Sequence, residues 1–343
     1  MRFHPSGLPP SKTLVPLAEM GSESEFLQNA QRRYSQIIHH LAWLHFLARL
    51  QGVSRREAVR FISVSQPHAG AFLNAVPKHA PFRMHTWAMR IAVQRRLGLP
   101  LTEAVIAQTR ALSRHGKQFD AYGDVAQNDG AQGHQTRHYL LLDAFTKVLR
   151  SVWGGRVERE PAGYRATSDY RPDVAAAGVG SGGSMLYADV KLFDSIGSDG
   201  VPELRGAVVA FGNTRPAARA RVLGVRERGS PSDGAFRPRT GYGYVRASLG
   251  DYARALALGV DVRPMLFETF GGFSPEVVEL LSALCGERAN RLHAGEYDAT
   301  TWAARSWMSF SAQQLSVALH RAAALEIAAA LGLSAAADPR AEI

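Results

Sequence analysis

Arg171-Pro172-Asp173-Val174, followed after a glycine-rich stretch by Ala188-Asp189-Val190-Lys191, decides how this chain is read. Between the two motifs lie Gly178, Gly180, Gly182 and Gly183. At about five to six residues per strand, that interval holds the rest of one strand, a turn and most of a second strand. Antiparallel neighbours joined this way bring Asp173 and Asp189 toward one point. A lysine two residues after a carboxylate on a strand points to the same face, so Lys191 is expected beside Asp189. Asp-x-Lys arises by chance in many strands and Pro-Asp is common at turns, so the surrounding elements carry the weight.

Those elements run in a consistent order. Residues 137–152 repeat apolar side chains at helical spacing (Leu140, Leu141, Phe145, Val148, Leu149). Short strands are expected over 156–161, 171–177 and 185–193, and a buried strand over 262–269. Gly271 and Gly272 end that strand, and Ser274 with Pro275 opens a helix running to about Cys285. This pattern predicts an α/β fold with a mixed sheet. A helical region comes before it. Ile37, Leu41, Leu44, Leu47 and Leu50 mark a helix over 23–50, Ser54 and Glu57 form a capping-box pattern for a second through Phe61, and Gly98 closes a third over 83–97. Residues 112–133 read as a loop, 244–258 as a helix, and 300–331 as a long structural helix or helix pair. The expected organisation is a flexible N-terminus over 1–22, a helical region over 23–132, a catalytic domain over 133–284 with a flexible Arg/Gly-rich insertion at 194–243, and C-terminal helices over 285–343.

Composition narrows the classes. The 343 residues include 46% hydrophobic side chains, enough for a sizeable core. The single cysteine, Cys285, excludes a disulfide framework and a cysteine-rich zinc site. No apolar run is long enough to cross a membrane, and residues 1–17 do not read as a secretory signal, so an intracellular protein is expected, nuclear if eukaryotic. The formal charge of +10 points to a polyanionic partner, foremost nucleic acid, although arginine-favouring codon usage produces the same excess. Residues 203–246 carry nine arginines against three acids. They suit either a solvated loop or a clamp on the DNA backbone.

Two carboxylates and a lysine suit phosphodiester hydrolysis. Mg²⁺ is commonly held through one or two carboxylates together with water and phosphate oxygens. It polarises the scissile phosphate and lowers the pKa of a bound water. Asp173 and Asp189 are the expected ligands for Mg²⁺ or Mn²⁺. Lys191 would orient the attacking water and offset developing charge.

Further stretches resemble a known family in the same order along the chain. Pro67-His68-Ala69-Gly70 with Phe72-Leu73-Asn74-Ala75-Val76-Pro77, Arg95 to Leu101, Asp120-Ala121-Tyr122-Gly123-Asp124, Arg137-His138 with Asp143, the two carboxylate motifs, and Phe267 to Ser274 look like the C-terminal region of site-specific non-LTR retrotransposon polyproteins. That region carries a restriction-endonuclease-like, PD-(D/E)xK nuclease. The resemblance implies a nuclease core of that type, a DNA endonuclease that nicks its target, Asp173 and Asp189 as metal ligands, and Lys191 as the catalytic lysine. It covers roughly residues 67–284. The family's zinc knuckle is degenerate here. Val125 replaces a histidine, His115 and Asn128 stand near cysteine positions, and His115, His134 and Asp124 make a poor tetrahedral set, so no zinc is expected. Of the family's lysine-tyrosine pattern on the following helix, Tyr252 remains.

Supporting candidates are Glu160, as an outer metal or water ligand, and Arg137 and His138, which open a helix suited to a phosphate contact. Each also has a bland reading, as an exposed strand residue or surface caps. His39, His40 and His45 are expected to pack in the first helix, and Trp302 and Trp307 to be core or interface residues. Two rivals to the nuclease stay open: a catalytically inactive DNA-binding remnant, and a structural or interaction protein.

Overall fold

The computed structural model describes residues 23–109, 112–129, 134–162, 170–196, 219–236, 242–300 and 304–333. The expected flexible N-terminus, much of the expected insertion (197–218 and 237–241) and Trp302 lie outside the described residues. Helices α1 (Glu23–Val53), α2 (Arg55–Val64), α3 (Thr86–Leu97), α4 (Thr102–Gln108) and α5 (Asp124–Asn128) precede α6 (His134–Trp153). Strands β1 (Val157–Arg159), β2 (Val174–Ala176) and β3 (Leu186–Phe193) follow, then α7 (Ala253–Ala257), β4 (Asp261–Glu268), α8 (Pro275–Glu287), α9 (Ala294–Thr300) and α10 (Trp307–Ala330). The fold is mixed α/β, as the pattern predicts.

The four strands form one sheet in the order β1-β2-β3-β4, with β1–β2 and β2–β3 antiparallel and β3–β4 parallel. A short turn suffices between β2 and β3. It uses Gly178, Gly182 and Gly183 at positive φ of 68°, 66° and 80°, where a side chain would be strained. A parallel pair instead needs a crossover of a dozen or more residues. Residues 194–260 supply it, so the Arg/Gly-rich stretch is the connection that lets β4 lie beside β3. Its described part is not formless. Residues 219–223 are helical, and isolated bridges join Val225 to Ser248, Arg228 to Val245 and Ala235 to Tyr244. The helix expected over 244–258 is accordingly confined to α7.

Side-chain alternation gives the sheet two different faces. Val174, Ala176, Leu186, Ala188, Val190, Met265 and Phe267 pack with Phe145, Leu149, Leu281 and Trp307 in the main core under α6, α8 and α10. Ala175, Tyr187 and Val262 face the other way, against Val222, Tyr252 and Ala255. Helix α10 is buried nearly all round and mixes apolar side chains with buried polar ones such as Gln314, Ser316, His320 and Glu326. It packs on α6, α3 and α5 and so ties the N-terminal helices to the sheet layer. Ser306 caps its start by accepting from Ser309 N–H at 3.3 Å.

The helix expected over 23–50 forms as α1, and two other expectations need correction. In α1, Trp43 and Leu47 pack on α2, whereas Ile37, Leu41 and Leu44 are exposed. His39, His40 and His45 are exposed as well, with His40 stacked on Trp43 rather than enclosed. Within the loop expected over 112–133, α5 forms because the Asp120 carboxylate accepts from Tyr122 N–H at 2.7 Å and Val125 N–H at 2.6 Å.

Candidate functional site

The β2 ladder begins at Val174, which pairs with Ala188 of β3. Asp173 is therefore one step beyond the ladder, opposite Asp189. The register extends through β1, where Arg159 pairs with Val174 and the Glu160 N–H donates to the Asp173 carbonyl at 2.8 Å. Glu160, Asp173 and Asp189 thus stand in one row across three neighbouring strands.

Asp189 is 4% exposed, on the sheet face away from the main core. Its Oδ1 accepts from Lys191 Nζ at 3.0 Å. The Tyr252 hydroxyl lies 3.3 Å from the same oxygen and 3.2 Å from the Arg171 carbonyl, so one proton serves two acceptors. Burial pushes the Asp189 carboxyl above its ordinary range; the Lys191 ammonium pulls it down and the Asp173 charge pushes it further up. Burial first, and the Asp189 charge second, hold the Tyr252 phenol well above its usual range, so its hydroxyl stays a donor. The ammonium of Lys191 is half exposed beside this buried acid.

Asp173 has a different setting. Its Oδ2 accepts from the Val190 N–H at 2.6 Å, a donor that β2 ends too early to satisfy with its backbone. Its Oδ1 lies 3.1 Å from His138 Nε2 on α6. Both oxygens are thereby oriented, one by a strand and one by a helix.

The supporting candidates separate. His138 joins the site through Asp173. Glu160 has a left-handed φ of 45° and turns its carboxylate toward Arg171, 3.3 Å away. Arg137 does not face a phosphate site. It is buried, and donates to Glu326 of α10 at 2.5 Å. Two consecutive residues of α6 point in different directions, so the second reaches the strand end while the first locks the helix layer. The Tyr252–Asp189 contact was not legible from spacing, because 63 residues separate the two. Its one signal was the tyrosine left from the lysine-tyrosine pattern.

Among the described residues, no group of three or more His, Cys, Asp and Glu side chains is arranged to hold a metal ion, and no helix is long and apolar enough to cross a membrane. Comparisons with models of known protein families, with curated proteins and with solved structures find no match to this chain.

Proposed function

We propose that this chain is a divalent-metal-dependent DNA endonuclease of the PD-(D/E)xK type, related to the nuclease region of site-specific non-LTR retrotransposons. The observation that carries the reading is the register: Asp173 stands opposite Asp189 on adjacent antiparallel strands, with Lys191 Nζ 3.0 Å from Asp189. The donor set suits Mg²⁺ or Mn²⁺, because two carboxylates are hard oxygen ligands and an octahedral ion completes its shell with water and phosphate oxygens. Their mutual repulsion, which helps push the Asp189 carboxyl up, is what a bound cation would relieve.

Asp173 and Asp189 would hold the ion, which when bound would supply Lewis-acid polarisation of the phosphate and a more acidic water. The chain's own groups have distinct tasks. Tyr252 fixes the Asp189 carboxylate by donating to it. Val190 N–H and His138 fix that of Asp173. Lys191, tethered at one end to Asp189 and open to solvent at the other, positions the attacking water and offsets charge developing on the phosphate. The basic excess of +10 favours a nucleic-acid substrate and steep salt dependence.

A second reading has an observation in its favour. Asp173 already accepts from two protein groups and Asp189 is paired with Lys191, an arrangement equally fitting for an inactive DNA-binding descendant. Cleavage of supercoiled plasmid with Mg²⁺ or Mn²⁺ separates the two. Metal-dependent nicking by the wild type should fall at least about 100-fold in Asp189→Ala and Lys191→Ala. Salt-sensitive DNA binding without nicking by the wild type would leave the inactive reading.

A further inference from the structure

Helix α1 carries more apolar surface than the described residues cover. Its 31 residues span about 46 Å at 1.5 Å per residue, whereas α2, the ten-residue helix it packs on, spans about 15 Å. The contact with α2 uses Trp43 and Leu47, and Phe46 meets Phe61 edge-on at 4.8 Å. Turned away from it, Tyr34, Ile37, Ile38, Leu41 and Leu44 are exposed, Ile38 at 63% and Leu41 at 59%. From Tyr34 to Val53 the sequence holds one charged residue, Arg49. A helix with one face on its own core ordinarily carries charged and polar residues on the other; the outer face of α1 keeps large apolar ones instead.

The exposed residues follow the spacing of a seam between helices. Tyr34, Ile37, Leu41, Leu44 and Ala48 recur at alternating intervals of three and four, the a and d positions of a heptad, with Ile38 beside them. At about 200 Å² for a large apolar residue, the exposed fractions leave on the order of 500 Å² bare in each copy, at the upper end of what a monomer shows in one patch. Two such faces together would bury on the order of 1,000 Å², the size at which a specific interface begins. A lipid surface suits the face less. A helix lying in a membrane interface keeps a face rich in lysine or arginine, and here the opposite side is taken by α2.

We infer that α1 docks on α1 of a second copy of this chain, along the seam from Tyr34 to Ala48, as a two-fold pair. In such a contact the same patch serves both partners. Leu41, at the midpoint of the seam, then meets its own counterpart whichever way the two helices run. Arg49 falls outside the a and d positions, so the pair buries no charge. The carboxylates of the candidate site lie on the sheet and take no part in the contact, so the dimer stands or falls independently of the nuclease reading.

Sedimentation velocity over a concentration series tests this with the wild type, Leu41→Glu and Ala42→Glu, circular dichroism checking that each keeps its helix content. The wild type should sediment as a dimer. Leu41→Glu should raise the dimer dissociation constant at least about 100-fold, because each copy then brings a charge into an apolar seam. Ala42→Glu lies off the seam and should leave it within about threefold. A second measurement does not depend on affinity. In a Cys285→Ser background, Leu41→Cys should cross-link two chains on oxidation, and Ala42→Cys should not. A wild type that stays monomeric at every concentration would overturn the inference, and its flotation with anionic vesicles would reassign the face to lipid. A dimer that Leu41→Glu leaves intact and Leu41→Cys does not cross-link would overturn it equally, by placing the interface elsewhere on the chain.

Discussion

Glu268 offers a sharp test of how this fold manages buried charge. It ends β4 fully buried, with Oε2 accepting from the Ser63 hydroxyl of α2 and, among the described residues, no hydrogen-bond partner on Oε1. Burial pushes its carboxyl from 4.5 up to about 8, and the Asp194 charge adds to the rise. The folded protein therefore keeps a proton that the unfolded chain releases above about pH 4.5, so this group's contribution to stability falls as pH rises and levels off above about pH 8. Raising a carboxyl's pKa by one pH unit corresponds to about 1.4 kcal/mol, which sets a ceiling of roughly 5 kcal/mol and, with relaxation and water entry, about 2–5 kcal/mol in practice. Glu268→Gln mimics the protonated form. It should match the wild type near pH 5 and exceed it progressively to pH 8.5. His320, lowered to about 3 by burial, and Asp124, raised to about 6 by burial, also tilt the wild-type curve, but they are common to both proteins and largely cancel in the difference. Urea unfolding of both at pH 5.5, 7 and 8.5 measures that difference. A constant value across the range would refute a protonated, buried Glu268.

Two further changes probe the site and its support. Tyr252→Phe deletes the hydroxyl shared by Asp189 and the Arg171 carbonyl; it should cost about 1 kcal/mol in urea unfolding and lower nicking through a less fixed Asp189, and an unchanged protein by both assays would mean that Tyr252 does not hold the carboxylate. Gly271→Ala places a Cβ at a φ of 102° and 2.6 Å from both the Ala69 carbonyl oxygen and His320 Nε2. It should cost about 2–4 kcal/mol, read as a lower melting temperature, and a loss under about 1 kcal/mol would mean the turn relaxes freely.

What the chain discloses before folding depends on how local the cause is. The β2–β3 hairpin, and with it the facing of Asp173 and Asp189, follows from a glycine turn and strand alternation within about twenty residues, so the pairing of these two candidate carboxylates was legible. The α1 face was not. Ile37, Leu41, Leu44, Leu47 and Leu50 repeat at helical spacing, but only the position of α2 decides that Leu47, together with Trp43, is packed while Ile37, Leu41 and Leu44 stay exposed. The helix expected over 244–258 is shortened to 253–257 for a related reason: residues 245 and 248 pair with 228 and 225 across the crossover, and those tertiary bridges override local periodicity. Glu268 lies within the buried strand expected over 262–269, and nothing local marks it, because the Ser63 hydroxyl that donates to it and the Asp194 charge that repels it are distant in sequence.

The segment around Asp120 and Asp124 shows how such distant partners stabilise a loop. Asp120 caps α5 through two backbone donors, while the Asp124 carboxylate accepts from Arg56 of α2 at 2.5 Å and lies 3.8 Å from Arg95 of α3. Burial raises the Asp124 carboxyl only to about 6, so at neutral pH it remains ionised and paired. The adjoining Gln127 bridges Arg95 at 2.8 Å and Glu326 of α10 at 2.5 Å, and Arg137 of α6 closes the same network on Glu326. Four helices thereby meet on α5 through charges that are largely removed from water. Removing one member of a buried pair costs about 3–5 kcal/mol, since the other is left uncompensated. The network therefore fixes the helical layer against α6, whose next residue, His138, orients Asp173. In this arrangement the geometry of the catalytic candidates depends on ion pairs formed by residues far from the motif that announces them.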